Sequence, residues 1–358
     1  MDQQKAQIDF YAENPRWVGA VSVSRAKLER LGIRLPLLPT TAVGSYPKPS
    51  YLLEARRKLR AGTLRPEELR ELEERATREW IEFQEQVGLD VLVDGEMYRG
   101  DMATYFAEHL GGFRISGLVR SYGNRYYRKP IIVGEVEWRG PITVEWWRFA
   151  QGLTDRPVKG MITGPYTLMD WSFNEYYPSR RDACLALARA LRKEVEALVR
   201  AGAKIIQIDE PAISARPEEL PAFATEAMRI MTKNLNAYFI THICYGAFEF
   251  VYPQMLELPV DNFDLEMSNS QLDLVELFKE HPFTRDISFG VVDVHSHVVE
   301  PPEVVEKRIR AALQVLRPER VWVDPDCGLK TRTREEAVGK LRSIVEATRK
   351  IRKEMGDG

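Results

Sequence analysis

The stretch Tyr-Phe-Ile-Thr-His-Ile-Cys-Tyr over 238–245 puts His242 and Cys244 at the polar end of an apolar, β-branched run. Side chains two apart on a strand share a face, and a neutral imidazole beside a thiolate makes half of a zinc site. Two further runs end in the same way. Asn-Phe-Asp-Leu-Glu-Met-Ser over 262–268 carries Glu266, and Arg-Val-Trp-Val-Asp-Pro-Asp-Cys-Gly over 320–328 carries Cys327. These pieces predict one Zn²⁺ held by His242, Cys244, Glu266 and Cys327. Each alone has a plainer reading: a packed cysteine, a satisfied histidine, a salt-bridge partner. All three runs nevertheless share one layout of apolar run, polar tip, turn and helix. The third cysteine, Cys184, lies in Asp-Ala-Cys-Leu-Ala-Leu-Ala-Arg-Ala-Leu over 182–191 and reads as core.

Two thiolates with a histidine and a carboxylate give an electron-rich zinc, suited to binding a substrate thiol and ionising it to the nucleophilic thiolate. Other polar tips gather around the same chemistry. Glu96 in Asp-Gly-Glu and Asp209 with Glu210 in Asp-Glu-Pro suit the ammonium of an amino-acid substrate. The Gly44 backbone and the Ser45 hydroxyl suit its carboxylate. His295 and His297 share a face; one suits a proton donor, the other a packing or surface role. Trp171, past the third strand, reads as core or as a stacking platform.

The elements that position these tips alternate short apolar strands with amphipathic helices, the pattern of βα units. Strands are expected at 40–45, 90–96, 159–164, 204–210, 237–244, 262–268, 288–296 and 320–327. Helices are expected at 66–87, 180–201, 217–235, 271–280, 301–316 and 334–355. Eight strands in this arrangement predict an α/β fold, a single (β/α)₈ TIM barrel over 39–358, whose chemistry gathers at the C-terminal strand ends. Residues 1–38 read as an N-terminal helical extension and linker. The crossover 111–148, with β-like runs at 126–137 and 142–147, reads as a β-hairpin excursion standing over one rim.

Composition sets bounds on partners. The 358 residues carry a net charge of −2, which gives no electrostatic case for nucleic acid or anionic membrane. Three cysteines, odd and sparse, point to a reducing compartment, with cytoplasm the expectation. No run is long and apolar enough to span a bilayer.

Several stretches together resemble the catalytic C-terminal half of the cobalamin-independent methionine synthases, zinc-dependent (β/α)₈ methyltransferases. They are Pro-Thr-Thr-Ala-Val-Gly-Ser-Tyr-Pro (39–47), Gly-Leu-Asp-Val-Leu-Val-Asp-Gly-Glu (88–96), Ser-Tyr-Gly-Asn-Arg (121–125) and Ile-Gln-Ile-Asp-Glu-Pro-Ala (206–212). Thr-His-Ile-Cys-Tyr (241–245), Asp-Val-His-Ser (293–296) and Asp-Pro-Asp-Cys-Gly-Leu-Lys-Thr-Arg (324–332) follow in family order. The resemblance implies zinc at His242, Cys244, Glu266 and Cys327. It implies homocysteine at Val43, Gly44, Ser45, Glu96 and Asp209, with His295 as proton donor. Contacts to a methyl-folate would fall on Arg125, Tyr126 and Trp171.

Departures from the family pattern concentrate on the donor side. Ala215 stands where the family has a folate-contacting glutamate, Tyr126 where it has a cysteine, and Met-Tyr-Arg-Gly-Asp (97–101) follows Asp-Gly-Glu. The chain begins near the family's inter-barrel linker, as do its short single-barrel members, some of which take methyl from a methylated corrinoid. The expected activity is methionine formation from homocysteine, with 5-methyltetrahydrofolate or methylcobalamin as donor and a corrinoid protein as a candidate partner. The alternatives are a related zinc thiol alkyltransferase, like the epoxyalkane–coenzyme M transferases, and a non-catalytic zinc-binding barrel.

Overall fold

The β-branched runs Gly-Met-Ile-Thr, Ile-Ile-Gln-Ile-Asp and Tyr-Phe-Ile-Thr-His-Ile are buried on both faces, as strands of a helix-covered parallel sheet must be. In the computed structural model, which describes residues 22–120, 126–244, 248–268 and 273–357, they lie in a six-stranded, all-parallel sheet. Its members are β3 (Gly160–Thr163), β5 (Ile205–Asp209), β6 (Tyr238–Ile243), β7 (Asn262–Leu265), β8 (Asp286–Gly290) and β9 (Val321–Asp324), neighbours in that order. Register aligns Asp209 with His242 and His242 with Asp264, so three polar residues share one level.

The first two expected strands, 40–45 and 90–96, are not ladder strands. They join their neighbours through isolated parallel bridges, Thr40 with Val323, Ser45 with Gly95 and Leu92 with Val158, and through scattered backbone bonds such as Thr41 N–H to Val323 C=O at 3.0 Å. The reason is that side chains take over backbone partners. The buried Gln84 amide accepts from Val93 N–H at 2.9 Å and donates to Val93 C=O at 2.8 Å. The Thr41 hydroxyl likewise donates to Val91 C=O at 2.9 Å.

Helices cover the sheet. The longest are α3 (Pro66–Val87), α7 (Arg180–Ala201) and α11 (Arg334–Glu354). Their ends follow local chemistry: Ser179 caps α7 by accepting from Asp182 N–H, and Thr333 with Glu336 forms a capping box on α11. The expected helix at 217–235 is shortened to α8 (Thr225–Thr232), preceded by a π turn at Leu220–Ala224. Three helices lie where the sequence reading expected neither helix nor strand: α2 (Ser50–Arg60), α4 (Met102–His109) and the short α6 (Pro165–Asp170). The remaining helices are α1 (Ser22–Arg30), α5 (Val144–Gln151), α9 (Asp273–Glu280) and α10 (Pro302–Ala312). Among the described residues no helix is long and apolar enough to cross a membrane.

The excursion is a hairpin of different limits from those expected. Strand β1 (Leu110–Arg120) pairs antiparallel with β2 (Tyr126–Trp138), and the two-residue β4 (Phe173–Asn174) adds a parallel edge. The run 142–147, expected to be β, instead enters helix α5. Val144, Trp147 and Ala150 recur at threes and are buried against the core, a helical period that outweighs the β propensity of Trp and Val. Buried Glu194 of α7 fixes the hairpin's base. It accepts from Trp138 Nε1 at 2.8 Å, from Ile142 and Thr143 N–H at 2.9 and 2.8 Å, and from the Thr143 hydroxyl at 3.1 Å.

Candidate metal centre and its cavity

His242 lies one residue before the end of β6 and Cys244 just past it, so strand alternation sends both to the same side. Cys327 arrives from the loop after β9. One ligand atom from each of these residues lies within 4.8 Å of the others. Asp326, which sequence reasoning passed over, brings the pieces together. Its Oδ1 accepts from Met267 and Ser268 N–H at 3.1 and 2.9 Å, tying the Cys327 loop to the segment after β7. The signal was the second aspartate of Asp-Pro-Asp-Cys, to which the sequence reading gave no role.

The three side chains fit a metal. Asp264 Oδ1 lies 2.9 Å from His242 Nδ1, which directs Nε2 into the cluster, and Nε2 is buried with no hydrogen-bond acceptor in reach. Burial pulls the His242 pKa down, but the charges of Asp264 and Cys327 outweigh it and raise it. A hydrogen bond from Cys244 and the nearby imidazole, against the cost of burial, hold the Cys327 thiol well below its usual range; the same bond raises Cys244. A half-buried thiolate, a buried second thiol and an imidazole lone pair are donors in the set zinc prefers.

Glu266, expected as the fourth ligand, lies outside this group of three. Strand β7 stops at Leu265, and the Glu266 carboxylate stands 3.3 Å from His295 Nε2. It is still close enough for its charge to raise the Cys244 thiol.

A cavity of about 950 Å³ opens over the cluster. Its walls include Val43, Gly44, Ser45, Glu96 and Asp209, with His295 and Trp171 beside them and exposed Tyr126 at the mouth. Arg125 lies outside the described residues. His297 is set apart, its Nδ1 2.8 Å from Glu336 Oε1 on α11, so of the two histidines only His295 faces the cavity.

Close approach dictates two glycines here. A Cβ on Gly44 would stand 2.8 Å from Glu96 Oε1, and one on Gly328 would stand 2.1 Å from Ser45 Oγ. Glu96 itself adopts a left-handed backbone (φ 59°), held by its N–H donating to Asp94 Oδ1 at 2.8 Å. Fully buried Arg99 stands 3.7 Å from the Glu96 carboxylate. Burial pushes Asp209 up to about 6. Glu210, offered by the sequence as a second ammonium partner, is otherwise engaged. Its carboxylate accepts from Tyr166 and Thr167 N–H at 3.0 and 2.7 Å, capping α6.

A parallel α/β sheet carries at its C-terminal edge, under a carboxylate-lined cavity, a His-Cys-Cys cluster able to hold a metal ion. A family model described as cobalamin-independent synthase, catalytic domain, matches residues 38–350, and the chain belongs to that family of methyltransferases. A methionine synthase of Saccharolobus solfataricus is 43% identical over 324 residues, 90% of this chain and 97% of that one. One from Sulfurisphaera tokodaii is 42% identical over 322 residues, 90% and 94% of the respective chains. The solved B12-independent methionine synthase of Shewanella sp. W3-18-1, in complex with selenomethionine, aligns with a TM-score of 0.80 at 28% identity, covering 89% of this chain and 99% of that one.

Proposed function

We propose that the protein methylates homocysteine to methionine, within one catalytic barrel over 39–358 preceded by an extension over 1–38. The observation that carries this reading is the His242–Cys244–Cys327 cluster at the foot of a cavity that also presents Glu96 and Asp209. The isolated bridges of 40–45 and 90–96 support closure of the sheet into an eight-membered barrel.

His242, Cys244 and Cys327 would hold zinc, with Glu266 completing the set and yielding most readily, since a carboxylate is the weakest of these ligands. When bound, zinc ionises a thiol whose free pKa is about 8.5 at neutral pH. Glu96 and Asp209 take the substrate ammonium, while the Gly44 N–H and the Ser45 hydroxyl, beside Val43, take its carboxylate. These contacts aim the sulfur along the cavity axis, and such positioning of nucleophile against methyl group is the largest rate contribution the chain can make. The sulfur–methyl bond forms as the bond from methyl to donor breaks. Where the donor is a folate, His295 supplies the proton to the departing nitrogen; Trp171, Tyr126 and Arg125 line its approach. A methylcorrinoid, free or on a carrier protein, needs no such proton.

The test is a donor panel. Homocysteine is offered with methyl-folate mono- and triglutamate and with methylcobalamin. Methionine formed from any one of them supports the reading. A zinc-loaded enzyme that ignores homocysteine while consuming another thiol overturns it.

A further inference from the structure

We propose that Gln207 is a positioning residue. Its buried amide locks the Asp209 carboxylate and the Val43 carbonyl into one unit that receives the amino-acid end of the substrate, and Lys159 fixes which way that amide faces. Gln207 and Asp209 are two apart on β5 and share a face. Gln207 Nε2 donates to Asp209 Oδ1 at 2.7 Å and to Val43 C=O at 2.8 Å, joining residues 164 and 2 positions away in sequence. Lys159 Nζ donates to Gln207 Oε1 at 2.5 Å. An ammonium has donors and no acceptor, so the amide oxygen must face Lys159 and both amide hydrogens must face the substrate side.

Both side chains are buried: Gln207 is 0% exposed and Lys159 1%. A buried lysine is costly, and Asp264, Asp324 and Asp209 supply its countercharge. The arrangement engages one oxygen of Asp209 and leaves the other for the ammonium. It also fixes the distance between that carboxylate and Val43, on whose neighbours the substrate carboxylate rests. The inference rests on the reading that Asp209 binds the substrate ammonium.

The experiment measures binding to the zinc-loaded full chain by calorimetry, with homocysteine and with 4-mercaptobutanoate, which keeps the thiol and carboxylate and lacks the amine. Gln207→Glu is nearly isosteric and still accepts from Lys159, but it sets a carboxylate against Asp209 and the Val43 carbonyl. Homocysteine binding is expected to weaken about tenfold or more, and 4-mercaptobutanoate binding less than about twofold, with zinc content unchanged. Lys159→Met, which frees the amide to rotate, is expected to act in the same direction and decides the matter if Gln207→Glu does not fold. Equal losses for both ligands, or an undiminished preference for homocysteine in both variants, overturn the proposal. A wild-type enzyme without that preference sinks the assignment of Asp209 instead.

Discussion

Asp264 Oδ1 lies 2.9 Å from His242 Nδ1, and both side chains are buried. The carboxylate fixes the imidazole's tautomer and aim from behind, as outer partners of metal-binding histidines do. Asp264→Ala therefore lowers zinc affinity by about 10- to 100-fold. Competition against a chromophoric chelator measures this; an unchanged affinity contradicts the assignment.

Gly44→Ala brings a methyl group to within 2.8 Å of Glu96 Oε1 and pushes that carboxylate from its place. Since Glu96 is assigned to the substrate ammonium, KM for homocysteine should rise by roughly tenfold or more while zinc content stays constant. Steady-state kinetics with metal analysis checks both halves.

Glu194 accepts four hydrogen bonds at the hairpin's base, all from groups on 138–143. Glu194→Ala leaves buried donors unsatisfied and should destabilise the fold by about 3 kcal/mol or more. Denaturant unfolding measures the loss. A change within about 0.5 kcal/mol, typical of surface positions, would contradict this anchoring role.

Asp286 opens β8 and accepts the Tyr238 hydroxyl at 2.6 Å, with Arg320 and Asp261 nearby. Burial pushes its pKa up to about 7. A raised native pKa means that the folded state keeps a proton the unfolded chain has released. The resulting stability is complete below the unfolded value of about 3.9 and is lost as pH rises to about 7, by roughly 4 kcal/mol at most. Glu73 and Glu210, also raised to about 7 by burial, contribute slope of the same sign. Unfolding midpoints taken between pH 4 and pH 8 should therefore fall in the wild type, and less steeply in Asp286→Asn. Parallel profiles would exclude Asp286 as a source.

The candidate site was legible where a residue type has few uses. Histidine and cysteine at strand tips are rare, so His242, Cys244 and Cys327 could be read directly. Carboxylates serve many purposes, and here the reading faltered. Glu210, offered as an ammonium partner, caps a short helix that an apolar run did not announce. The sheet was legible from β-branched runs, but 40–45 and 90–96 were misjudged as regular strands. A side chain of the preceding helix, Gln84, supplies Val93 with hydrogen bonds a ladder would have made. The helix over Trp146 and Trp147 was mistaken for a strand because tertiary burial, invisible to local propensity, chose between two periods.

Metal analysis of the wild type, Cys244→Ser and Cys327→Ser, each followed by homocysteine calorimetry, tests the central claim most directly. The account predicts one zinc per chain in the wild type, loss of zinc in both variants, and homocysteine binding only where zinc is retained. Full zinc and undiminished homocysteine binding in either variant would contradict it.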